Sequence, residues 1–173
     1  MNISGGIYKG RKIIAPLERI VRPTLSKVRM SIFNTLFSII GDFSDKTFLD
    51  VFGGSGIMGL EALSRGFSSV TVFEKNKMVA DIIKKNYSTL NLKPQLLIGD
   101  STKLIDKLTE NYTIGYVDPP YLSGIYEKTL QKLEPICDYI ILERNQNVDL
   151  SGYNILKEKK YGDKFITYIK SNK

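Results

Sequence analysis

The chain has 173 residues, 42% of them hydrophobic and 25% charged, ordinary values for one soluble domain able to bury its own core. Cys137 is the only cysteine and histidine is absent, which excludes disulfide frameworks, zinc clusters, Cys-His nucleophile pairs and Ser-His-Asp triads. The net charge of +7 is uneven: residues 1–30 hold seven basic residues against one acid, residues 157–173 six lysines against two acids, and the remainder 15 acids against 12 bases.

The first predicted elements are two short strands, residues 3–8 and 11–15, turning at Lys9-Gly10. Residues 16–23 read as a loop, and Thr24 as the cap of a helix whose apolar stripe is Val28, Ile32, Phe33, Leu36, Phe37 and Ile40. A turn-rich linker, 41–46, leads into an alternating pattern. Strands are expected at 47–52, 69–73, 95–98, 114–117 and 138–142, and helices near 57–65, 77–90, 102–108 and 125–133. Such alternation predicts an α/β fold with a doubly wound, mostly parallel sheet. The last two strands, 153–161 and 164–170, are joined only by Gly162-Asp163, so the final strand runs antiparallel. The whole is expected to form one domain, 1–173, with residues 1–45 as a basic extension on a core of 46–173. No apolar run approaches a membrane span and no signal peptide is visible at residues 1–6, so a cytoplasmic location is expected.

Three constellations carry chemistry. The sequence from Leu49 to Gly59 places Gly54-x-Gly56-x-x-Gly59 after a strand and before a helix, the context of a nucleotide-binding turn. Glu74 ends the second strand, where a carboxylate can take two ribose hydroxyls. These features alone describe a dinucleotide enzyme. Asp50, however, puts negative charge beside the glycine turn, which suits an ammonium or sulfonium group better than a pyrophosphate. Asp100 ends the third strand and offers an acceptor to an adenine amino group. Together they favour S-adenosylmethionine as cofactor. Phe52, Gly53, Gly54, Ser55 and Gly56 form the candidate loop, and Lys75 and Ser101 adjoin the second and third carboxylates.

The second constellation is Asp118-Pro119-Pro120-Tyr121, directly after the fourth strand. Its bland reading is a strand-ending turn. Its chemical reading is an amine site. The Asp118 carboxylate and the Pro119 carbonyl would accept the two N–H bonds of an exocyclic amine, localise its lone pair and aim it at a methyl donor. Tyr121 could stack on the extruded base. The third is the basic first thirty residues, a nucleic-acid footprint in which Lys9, Arg11, Lys12, Arg22, Thr24 and Arg29 are the candidate RNA contacts. The C-terminal lysines suit a solvated face equally well.

These residues resemble the RsmD family, bacterial methyltransferases that modify the exocyclic N2 of a guanine in 16S ribosomal RNA. Residues 6–12, Arg22-Pro23-Thr24, Val28-Arg29, Phe33-Asn34, the stretch 49–66, the Asp118–Tyr121 turn and Tyr161-Gly162-Asp163 carry the likeness. Gly53 stands where alanine is usual, Met58 where leucine is common, and Ser26 and Met30 where acids are expected. The resemblance implies a Rossmann-like class I methyltransferase fold with a seven-stranded sheet. It implies S-adenosylmethionine as cofactor, no metal, and small-subunit rRNA or a 30S assembly particle as partner of a monomer. Asp50 and the glycine turn would then face the methionine part, Glu74 the ribose, Asp100 the adenine and Asp118 the target amine. Alternatives are a DNA adenine-N6 methyltransferase, a nicotinamide-dependent enzyme, and a non-catalytic RNA-binding module.

Overall fold

In a computed structural model of the chain, residues 1–16, 24–120, 124–145 and 147–173 are described. The elements follow as α1 (Ser26–Ile40), β1 (Thr47–Asp50), α2 (Ile57–Ser64), β2 (Ser69–Glu74), α3 (Lys77–Ser88), β3 (Gln95–Ile98), α4 (Ser101–Ile105), β4 (Tyr112–Val117), α5 (Ile125–Leu133), β5 (Cys137–Arg144), β6 (Asn154–Tyr161) and β7 (Lys164–Lys170). They build a seven-stranded sheet in the order β3-β2-β1-β4-β5-β7-β6. The first five strands run parallel, and β7 pairs antiparallel with both β5 and β6. This is the doubly wound sheet with an inverted last strand that the sequence predicts. Among the described residues, no helix is long and apolar enough to cross a membrane.

Alternation along the strands divides the core between two faces. Phe48, Ile114, Tyr116, Ile141, Ile166 and Tyr168 meet α1, α2 and the N-terminal segment. Leu49, Val117, Ile140, Leu142 and Ile169 meet α4 and α5. Phe33 anchors α1, stacking on Phe48 with ring centroids 5.9 Å apart and meeting Phe43 and Phe67 edge-on. At Gly115 an added Cβ would lie 2.9 Å from the Cys137 Sγ, so β4 and α5 close around a buried thiol that burial pushes up to about 12.

The N-terminal strand pair is corrected. Pairing is limited to one antiparallel bridge, Asn2 with Lys12, flanked by bonds between Ile3 and Arg11 and between Ile13 and Met1. Donors that a hairpin would direct across itself turn to α2 instead: Ser4 N–H to the Glu61 carboxylate, Ile7 N–H to the Ser64 carbonyl and Tyr8 N–H to the Ser64 hydroxyl. Gly6 permits this docking, because at its φ of 76° a Cβ would sit 1.8 Å from the Ser64 carbonyl oxygen. Two expectations for α1 also change. Thr24 does not cap it; Leu25 stands at the N-cap without a side-chain bond, and the Thr24 hydroxyl donates to Glu143 instead. Phe37 lies off the buried stripe, 57% exposed, against the edge of Phe43.

Candidate active site

The strand order reverses between β1 and β4, and in open α/β sheets the crevice beyond the carboxyl ends at such a point takes the ligand. Asp50 closes β1 and pairs in register with Val72 of β2 and Tyr116 of β4. Glu74 closes β2, Gly99-Asp100 follow β3, and Asp118 follows β4. The sheet therefore brings the four acids to one rim.

Asp50 is 1% exposed, and among the described residues neither of its carboxylate oxygens has a hydrogen-bond partner. Burial raises its pKa to about 7, and the Glu74 charge adds to the rise. Backbone N–H groups of Phe52 and Gly59 lower it in part without completing bonds of normal geometry. A carboxylate buried in this way calls for a cation, and an orphaned acceptor of this kind is costly unless something completes it.

The loop after β1 turns through Gly54 and Gly56, whose φ angles of 55° and 76° lie in the left-handed region that favours glycine. Gly53 N–H reaches the Phe73 carbonyl at 2.7 Å, and Gly54 N–H reaches Glu74 Oε2 at 3.0 Å. The other oxygen of Glu74 accepts from Asn76 N–H at 2.7 Å, and burial raises this carboxyl's pKa as well. A pyrophosphate on this loop would face two carboxylates, which counts against a dinucleotide. An ammonium-bearing nucleoside would complete Asp50 and find acceptors at Glu74. Phe52 is half-buried at the start of the loop and Ser55 is buried within it.

Asp100 caps α4, accepting from Thr102 N–H at 3.1 Å and the Thr102 hydroxyl at 2.7 Å, and this hydroxyl holds its pKa below the ordinary value. Lys75 reaches it from the end of β2 at 3.4 Å. Ser101 is buried, donating from its hydroxyl to the Val51 carbonyl at 2.7 Å, so it braces the floor of the crevice.

Asp118 is half-buried, Pro119 buried and Pro120 exposed. Asp118, Asp50 and Glu143 all act on the buried Tyr116 hydroxyl, which burial first and these charges next push well above its ordinary pKa. Tyr121 and Arg22 lie outside the described residues.

Of the candidate RNA contacts, Lys9, Arg11 and Lys12 are exposed. Arg29 and Thr24 are corrections. Arg29 is 1% exposed, with Nε 3.0 Å from Glu61 Oε1 and Nη2 2.6 Å from the Asn2 carbonyl, so it faces the interior. Thr24 is 7% exposed and turned to Glu143. Sequence reasoning also missed three buried polar residues. Glu61 pairs with both Arg29 and Arg65 and receives Ser4 N–H. Glu143 joins Thr24, Tyr116 at 2.7 Å and Lys164. Asn86 bonds Ile14 and Ser55. The only available signal was an acid in an otherwise apolar run, as at Glu61 in α2. Among the described residues, no group of three or more His, Cys, Asp or Glu is placed to hold a metal ion.

A family model described as "Conserved hypothetical protein 95" matches residues 1–170. "Ribosomal RNA small subunit methyltransferase D" of Escherichia coli (strain K12) is 35% identical over 135 residues, covering 78% of this chain and 67% of that protein. The protein of the same name from Haemophilus influenzae is 30% identical over 178 residues, covering 94% and 89%. The solved structure "Putative methyltransferase yhhF from Escherichia coli" superposes with a TM-score of 0.85 at 29% identity, covering 100% of this chain and 99% of that one.

Proposed function

The chain belongs to the RsmD family, and from that premise we propose that it is an S-adenosylmethionine-dependent rRNA methyltransferase acting on the exocyclic N2 of a guanine in the small subunit. The observation that carries the cofactor assignment is Asp50, a buried carboxylate beside a glycine turn with no hydrogen-bond partner among the described residues. It fits the ammonium of a methionine moiety. Glu74, between the glycine loop and α3, fits the ribose hydroxyls, and Asp100 with Lys75 borders the adenine end. The cofactor supplies an electrophilic methyl group when bound.

The chain's own residues prepare the acceptor. An exocyclic amine is a poor nucleophile because its lone pair is delocalised into the base. Accepting one N–H at the Asp118 carboxylate and the other at the Pro119 carbonyl turns that lone pair out of the ring. Pro119 fixes φ and is buried, so these acceptors are held in place before the amine arrives and need no reorganisation. On taking the methyl group, whose bond to the sulfonium sulfur would break and leave the neutral thioether S-adenosylhomocysteine, the amine would have to lose a proton, and the Asp118 carboxylate that already holds that N–H would receive it. The RNA partner is read from the exposed Lys9, Arg11 and Lys12 and from the names borne by the relatives.

The test is transfer of labelled methyl from S-adenosylmethionine to small-subunit particles from a strain lacking this protein, with duplex DNA as the competing substrate. Label in the particle RNA supports the proposal. Label in DNA alone would replace it with a DNA amino-methyltransferase.

A further inference from the structure

Resting on that reading, we infer that Asn86 is a positioning residue that couples RNA on the N-terminal segment to the cofactor on the glycine loop. Asn86 lies on α3 and is 0% exposed. Its Oδ1 accepts Ile14 N–H at 2.7 Å, and its Nδ2 donates to the Ile14 carbonyl at 2.9 Å and to the Ser55 carbonyl at 3.0 Å. One carboxamide thus acts as a strand partner to Ile14 and as a tie to the loop that carries Gly54 and Gly56.

The two segments it joins have different ligands. Ile14 follows Arg11 and Lys12, the exposed basic residues. Ser55 follows Gly54, whose N–H is held by Glu74. Lys12, Ile14, Asn86, Ser55, Gly54 and Glu74 form one continuous path of covalent and hydrogen bonds from the basic surface to the ribose carboxylate. A second tie lies alongside: the Ser55 hydroxyl reaches Met1 Sδ at 3.6 Å, and the Met1 ammonium donates to the Ile13 carbonyl at 3.2 Å. Ile14 is 49% exposed, so backbone bonds to Asn86 dominate its docking. A ligand that fixes one segment therefore bears on the other through Asn86, and each ligand lowers the cost met by the second. Linkage requires the effect to be the same in both directions.

The experiment measures the dissociation constant of S-adenosylhomocysteine by equilibrium dialysis with and without saturating undermethylated small-subunit particles. Co-sedimentation of the protein with those particles, with and without S-adenosylhomocysteine, gives the reciprocal value. For the wild type both ratios should show a gain of about 5-fold or more, the lower end of typical coupling. In Asn86→Leu, which keeps the bulk and removes all three bonds, both ratios should fall to within about twofold of one. Ile14→Pro, which deletes the N–H given to Asn86 Oδ1 and leaves the other two bonds, should lower both ratios below the wild-type values and serves if the leucine variant does not fold. A merely structural role would weaken both affinities in step and leave the ratio intact. A wild-type ratio near one, or a variant ratio equal to the wild type's, overturns the inference. A wild type that binds neither S-adenosylhomocysteine nor particles overturns the functional reading itself.

Discussion

Asp50→Asn offers a test in stability that needs no substrate. Burial takes the Asp50 carboxyl from an ordinary 3.8 to about 7. Below pH 4 it is protonated in both folded and unfolded chains and contributes nothing to the pH dependence. Between pH 4 and 7 the unfolded chain ionises while the folded one keeps its proton, so stability falls as pH rises. Above pH 7 the penalty is complete, and a rise of that size corresponds to about 4 kcal/mol. Asparagine fills the same space and cannot ionise. Urea unfolding of wild type and variant at pH 5 and pH 8 isolates this one group from every other titrating carboxylate, because only the difference between the two proteins is read. The variant should gain on the wild type by most of that 4 kcal/mol between the two pH values, since about one pH unit of the window lies below pH 5. Equal differences at both pH values would refute the burial argument. S-adenosylhomocysteine should raise the melting temperature of the wild type more at pH 8 than at pH 5, because its ammonium needs the ionised carboxylate. It should do little for the variant at either pH.

Further expectations concern the other groups. Asp118→Ala should abolish methyl transfer while the dissociation constant of S-adenosylhomocysteine stays within about threefold, a modest change of under 1 kcal/mol; retained transfer would remove the amine-acceptor role. Glu74→Ala should weaken cofactor binding by about tenfold or more, the equivalent of one lost charge-assisted hydrogen bond, and calorimetry showing no change would remove the ribose assignment. Neutralising Lys9, Arg11 and Lys12 together should weaken RNA binding and flatten its logarithmic salt dependence by about 2, since each phosphate contact on single-stranded RNA contributes about 0.7. An unchanged slope means RNA docks elsewhere. Glu61→Gln leaves Arg29 and Arg65 without their shared carboxylate in a buried setting, and chemical denaturation should show a loss of about 3–5 kcal/mol; a loss under about 1 kcal/mol, typical of exposed pairs, would mean the triad is not buried in solution.

The alternating part of the fold was legible because period and punctuation are local. The spans of β3, α5 and β7 coincide with the predicted ones, and the antiparallel β6–β7 pair follows from a two-residue turn too short for a helix. The rim of acids was legible for a related reason: strand ends in a parallel sheet share an edge, so Asp50, Glu74, Asp100 and Asp118 needed only correct strand positions. The N-terminal segment was not, because the bonds that dock it run to partners more than fifty residues away on α2 and α3. Arg29 shows the limit most clearly. Its charge placed it among the RNA contacts, but the partner that buries it, Glu61, is set by how α1 crosses α2, which no local pattern reports. Thr24 fails likewise: a threonine after a proline is a reasonable cap, and only the arrival of Glu143 from β5 gives it another bond.

Methyl transfer to an exocyclic guanine amine at the Asp118 turn leaves a product that can be identified. Undermethylated small-subunit particles treated with the enzyme and S-adenosylmethionine, then digested to nucleosides and resolved by mass spectrometry, test it most directly. N2-methylguanosine is expected with the wild type and none with Asp118→Ala. N6-methyladenosine, or a methyl group on a ring carbon or ribose oxygen, would contradict it.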